Sequence, residues 1–246
     1  MTLRWLTSSR TSAFILLACA GHAGTLPGAA LVTGHVELAD SREASVRKAK
    51  NYSGVVVWLK PAGRAPLPKP AIYTIRQKGK RFTPHILPIP VGGTVDFPNF
   101  DPIFHNAFSN FAGQPFDTGL YRPGTTEKVQ FRREGVVRVF CNIHSNMSAV
   151  IVVLDTPYYT MSKTDGSFRV EAVPTGDYTL HVWHERATEE SLSALVRKVT
   201  ISEADLELPV IRISESGYLE IPHKNKHGRE YPPKPVEHSV YPGGRK

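Results

Sequence analysis

Cysteine is almost missing from this 246-residue chain, which has two, Cys19 and Cys141, beside three methionines and three tryptophans. So few thiols exclude a disulfide-stapled scaffold. Long apolar runs are missing as well: the N-terminal run Ala13–Ala20 is too short to stay in a bilayer as a spanning helix. No segment carries the long 3.6-residue periodicity of an amphipathic helix, which excludes a helical bundle. Instead there are 20 prolines, 19 glycines and 41% apolar residues, arranged as short apolar runs divided by turn residues. That pattern belongs to one large or two small loop-rich all-β domains. The formal charge of +8 favours acidic partners or an anionic surface. With no helix-turn-helix or RNA-binding motif beside it, it gives no reason to expect a nucleic-acid partner.

The first residues, MTLRWLTSSRTSAFILLACAGHAG, place Arg4 and Arg10 before a short apolar run and Ala18-Cys19-Ala20 after it. This is the layout of an export signal over residues 1–23, cleaved after Ala20 or Ala23. The alternative is that LLAC acts as a lipobox, making Cys19 a lipidated anchor and giving the protein its only hold on a membrane. In either case Cys141 is left as the lone thiol of an exported, periplasmic chain. An oxidising compartment traps exposed thiols, and serving as a metal ligand is one stable reason to keep one.

Along the mature chain, residues 24–70 hold the strand candidates LVTGHVEL and GVVVWLKP and end in a proline-rich link, PAGRAPLPKPA. Residues 71–155 alternate strand-like runs with Pro and Gly breaks, among them VVRVFC and the near-continuous SAVIVVLD, which reads as a central buried strand. Residues 156–213 carry hairpin-like turns at Asp165-Gly166 and Thr175-Gly176-Asp177. Residues 214–246, rich in Pro, Lys and His with few apolar side chains, read as a mostly disordered tail.

Between VVRVFC and SAVIVVLD lies CNIHSNM, in which Cys141, His144 and Met147 are each separated by two residues. Thiolate, imidazole and thioether are soft or borderline ligands, and with one further histidine they form the usual set of an electron-transfer copper site. His105, at the end of FPNFDPIFHN, is the candidate for that histidine. Zinc is the other metal to weigh, but its structural sites take further Cys or His rather than Met. His181 and His184 in LHVWHE would face opposite sides of a strand and are not expected to share a metal. His85, and the tail residues His223, His227 and His238, are further histidines without a ligand pattern.

Residues 71–155 resemble a cupredoxin, the blue-copper family, with the short ligand loop of the amicyanin type in CNIHSNM and a His-Asn pair at His105-Asn106. The pieces VGGTVDFPNFD and FDTGLY also resemble bacterial exported proteins labelled methylamine-utilisation or plastocyanin-like. The resemblance implies a Greek-key β-sandwich holding one Cu(I)/Cu(II) ion. His105, Cys141 and His144 would be the equatorial ligands and Met147 the axial one. Asn106 would tie its strand to the Cys-bearing loop by a hydrogen bond. Residues 156–213 resemble a smaller prealbumin-like, carboxypeptidase regulatory-like sandwich in TDGSF and VPTGDYTLHV. The strands expected just before it look instead like TGHVEL and GVVVWL. Residues 31–60 are therefore expected to complete it, with the copper unit inserted between its halves.

The function that follows is a non-enzymatic, one-electron carrier of the periplasm with an acidic cytochrome or oxidase as partner. The alternatives are copper storage or delivery, and an envelope binding module in which copper is structural.

Overall fold

The computed structural model describes residues 28–63, 66, 70–110, 113–219 and 222–231. The expected export signal and His238 lie outside the described residues. Among the described residues eighteen strands follow one another with two short helices. They are β1 (Ala29–Ala39), α1 (Ala44–Ala49), β2 (Val56–Pro61), β3 (Ile72–Thr74), β4 (Arg76–Gln77), β5 (Phe82–Thr83), β6 (Ile86–Pro90), β7 (Thr94–Pro98) and β8 (Phe108–Ser109). The second half holds β9 (Phe116–Asp117), β10 (Thr126–Gln130), β11 (Gly135–Phe140), β12 (Ser148–Leu154), β13 (Tyr159–Met161), β14 (Ser167–Pro174), β15 (Gly176–Trp183), α2 (Glu189–Ser193), β16 (Arg197–Ile201), β17 (Leu206–Glu207) and β18 (Ile211–Ser214). The fold is all-β. Among the described residues no helix is long and apolar enough to cross a membrane.

One unit is a Greek-key β-sandwich of a β6-β12-β11-β8-β9 sheet and a β10-β7-β3 sheet. Its core is Ile89, Val95, Phe97, Phe131, Val137, Val139, Ile151 and Val153, with Cys141 and Met147 at one end. The apolar run of β12 has a direct explanation in its two faces. Ala149, Ile151 and Val153 point into this core, while Val150, Val152 and Leu154 join Val56, Ile86 and Trp183 in a second apolar layer. A strand covered on both faces needs no polar alternation.

The second unit draws strands from both ends of the chain. β1 pairs antiparallel with β14 and parallel with β17 and β18. β2 pairs with β13 and β15. No ladder pairing joins β1 or β2 to the strands of the first unit among the described residues. The two sheets enclose Val32, Val36, Val57, Leu59, Phe168, Val170, Leu180 and Ile213. The turn at Gly166 can be built only with glycine: its φ is +87°, and a Cβ there would lie 2.3 Å from the Val36 carbonyl oxygen. The units meet through the layer around Trp183, where β2 alternates between Val57 and Leu59 facing its own core and Val56 and Trp58 facing β12.

The expectation of a mostly disordered tail over residues 214–246 does not hold for residues 214–219 and 222–231, and residues 220, 221 and 232–246 lie outside the described residues. Glu215 is buried, and residues 222–231 hydrogen-bond to the loop between β11 and β12. Composition misled because this segment is held by polar contacts, which the scarcity of apolar residues does not report.

Candidate metal centre

β11 ends at Phe140 and β12 begins at Ser148, so the loop carrying Cys141, His144 and Met147 joins two hydrogen-bonded neighbours of the central sheet. The loop is closed by its own backbone: Cys141 N–H donates to the Met147 carbonyl at 3.2 Å and Met147 N–H to the His144 carbonyl at 3.1 Å. His105 arrives from the opposite side, fixed by a two-bond bridge with Tyr121. Tyr121 is itself tied down, donating to the Phe97 carbonyl at 2.8 Å and contacting the Gln77 amide.

Three donors converge. Cys141 Sγ lies 3.8 Å from His105 Nδ1 and 3.6 Å from His144 Nδ1, and the donor atoms all fall within 4.8 Å of one another. A metal about 2.0 Å from each nitrogen and about 2.3 Å from sulfur, at trigonal angles, requires an N···S separation of about 3.7 Å. Both N···S separations match that value, so the residues present fit a shared metal ion. They form the one such group of His, Cys, Asp or Glu found among the described residues. Met147 is fully buried in the same loop, beside Cys141 in the core.

Protonation is arranged to suit. His105 is fully buried, and its Nε2 lies 2.8 Å from Asp101 Oδ2. Burial pushes the Asp101 carboxyl up, but the backbone amides of Lys80 and Gly79 and the His105 ring outweigh it and hold it below its ordinary value. The ionised carboxylate accepts a hydrogen bond from Nε2–H, which keeps the proton on Nε2 and leaves the Nδ1 lone pair facing the thiol. For His144, burial first and then the neighbouring His105 and Lys80 lower the pKa, which favours the neutral, ligating form.

Asn106 lies where it can brace the site. Its side-chain oxygen accepts from the Asn142 amide at 2.7 Å and its Nδ2 donates to Asp117 at 3.2 Å, linking the His105 segment to the Cys141 loop. The other described histidines are not part of the converging donor group. His181 stacks on Trp58, His184 is buried against Glu215, and His85 bridges Glu185 and the Ser148 carbonyl. His227 offers a backbone amide to Asn225, and His223 contacts Ser145 and Tyr231. Sequence reasoning missed Asp101, Asp117, Lys226 and Tyr231. An Asp four residues before a loop histidine has no recognisable spacing, and the last two act from a distant segment.

No family model and no curated protein matches this chain. Solved structures do. A copper-containing nitrite reductase from Thermus scotoductus SA-01 is 30% identical over 39% of this chain, with a TM-score of 0.33, and the match spans only 25% of that enzyme's length. A purple cupredoxin from Nitrosopumilus maritimus is 26% identical over 33% of this chain and 99% of its own, with a TM-score of 0.31. A Cu(I) form of an amicyanin variant is 15% identical over 40% of this chain and 98% of its own, with a TM-score of 0.33. Likenesses of this size leave the reading of the site to its side chains.

Proposed function

We propose that this protein is a copper-binding electron carrier of the cupredoxin kind. His105, Cys141 and His144 would hold one copper ion, with the Met147 thioether as a further soft ligand. The observation that carries the reading is the convergence of the Cys141 thiol with two imidazoles, both presenting Nδ1, at separations suited to a shared metal. When bound, copper supplies one-electron exchange between Cu(I) and Cu(II).

The protein's own residues supply stiffness and selectivity. Asp101 fixes the His105 tautomer, Asn106 fixes the spacing of two loops, and the buried thiol is shielded from oxidants. A preformed site limits the reorganisation that slows electron exchange. Donors from four side chains leave no position for substrate, so the protein would work as a carrier rather than an enzyme. His144 is only partly buried, and exposed Phe100, Phe104, Leu120 and Ile143 lie on segments that also carry site residues. They suit an apolar docking rim through which His144 passes the electron. The basic charge suits an acidic redox partner in the periplasm, reached through the N-terminal export signal. Electron transfer from a reduced acidic cytochrome, measured by stopped flow, tests the role: rapid, salt-sensitive oxidation is expected, and copper binding without exchange would refute it.

A further inference from the structure

Residues 222–231 return from the end of the second unit to the Cys141–Met147 loop and grip it at atoms that the donors leave free. Tyr231 Oη donates to the Cys141 carbonyl at 2.8 Å. His223 Nε2 reaches the Ser145 carbonyl at 2.7 Å, its Nδ1 lies 3.1 Å from Tyr231 Oη, and its ring stacks on Phe140 at 4.0 Å. The Lys226 amide donates to Asn142 Oδ1 at 3.0 Å, and its ammonium meets Asp117 Oδ2 at 2.7 Å.

These last contacts close a circuit. Asn142 binds Asn106, Asn106 binds Asp117, Asp117 binds Lys226, and Lys226 returns to Asn142. The circuit joins the ligand loop, the His105 segment, β9 and the C-terminal segment. None of its bonds uses a donor sulfur or donor nitrogen of the metal site. It can therefore hold the geometry without competing for the ion.

We propose that residues 222–231 form a strap that positions the metal loop, with Lys226 and Tyr231 as its positioning residues. The proposal rests on the metal-site reading above. Lys226 completes the circuit that keeps the loop from moving relative to His105. Tyr231 points the positive end of an O–H dipole at the carbonyl of the ligating cysteine. That arrangement favours the more electron-rich, reduced state of the site, so the hydroxyl raises the reduction potential.

The test uses the full chain and the variants Tyr231→Phe, Lys226→Ala and Lys224→Ala. Lys224 lies on the same strap, but its ammonium points to Glu230 at 3.6 Å and takes no part in the circuit, so replacing its side chain serves as the control. Tyr231→Phe is expected to lower the Cu(I):Cu(II) affinity ratio between about 3-fold and tenfold, a tenfold change being about 59 mV for one electron. Lys226→Ala is expected to speed hydrogen exchange of the Asn142 amide in metal-free protein, and Lys224→Ala to leave both quantities unchanged. Wild-type values for both Tyr231→Phe and Lys226→Ala would overturn the strap. If wild-type protein shows no thiolate-to-copper band, the metal reading fails. Exchange in the metal-free variants still decides whether the strap positions the loop.

Discussion

Two buried histidines in this molecule each place Nε2 on a carboxylate, and only one of them belongs to a candidate metal site. His105 lies 2.8 Å from Asp101, and His184 lies 3.0 Å from Glu215. The difference is in what surrounds the pair. Asp101 is supported by two backbone amides, and His105 Nδ1 faces a thiol and a second imidazole. Glu215 is gripped in fork geometry by Arg186 and also accepts from Ser41, while His184 Nδ1 is buried without a partner among the described residues. A buried histidine–carboxylate pair fixes a tautomer in both places. It becomes a site only where the freed lone pair meets other donors; elsewhere it is a clamp within the fold.

The sharpest break in that comparison is Cys141→Ser. Removing the thiolate should abolish any intense visible copper band and weaken Cu(I) binding by more than about 100-fold, beyond the usual cost of losing an outer-shell partner. Urea unfolding of the metal-free variant should stay close to wild type.

Glu215→Gln should do the reverse. It removes the carboxylate that Arg186 holds in fork geometry, leaving it the longer contact with Glu185 at 3.4 Å, and should destabilise the fold by about 3 kcal/mol, the low end of such effects because Arg186 keeps that second carboxylate and is 23% exposed. Copper affinity should not change. Burial raises the Glu215 pKa, but Arg186 and Ser41 outweigh it and bring it below its ordinary 4.5. Its contribution is therefore present above that value and lost as pH falls through the depressed one. Acid unfolding curves of the wild type and of Glu215→Gln should converge in that range.

Asp101→Asn should cost about 10–100-fold in copper affinity, read by competition with a chelator, because the amide no longer compels His105 to carry its proton on Nε2. The smallest effect belongs to His85→Gln. Hydrogen bonding to Glu185 raises the His85 pKa above 6.5, so its contribution is present below that value and lost as pH rises through the raised one. The side chain is 46% exposed, so the difference between variant and wild type at pH 6 should stay under about 1 kcal/mol and vanish in alkali.

The candidate loop was legible in the sequence because local spacing does much of the work: Cys141, His144 and Met147 sit on one short loop between two strand signals, and the structure brings Cys141 and His144 together with His105. The apolar runs of β11 and β12 were legible because burial on both faces suppresses polar alternation. What composition could not report was contact made at long range through polar atoms. Asp101 acts through the fold of its own turn, and Lys226 and Tyr231, on a segment with few apolar residues, act on Asn142, Cys141 and Asp117, which lie 84 to 109 positions away in the chain. The pairing of β1 and β2 with strands beyond residue 158 could be suspected only from strand patterns standing in the wrong order.

The most direct test of the central claim is a Cu(II) titration of the purified protein followed by visible absorption, beside Cys141→Ser. The account predicts an intense thiolate-to-copper band that saturates at one equivalent, bleaches on mild reduction, returns on reoxidation and is missing in the variant. Copper bound without that band, or a band that survives in Cys141→Ser, would contradict it.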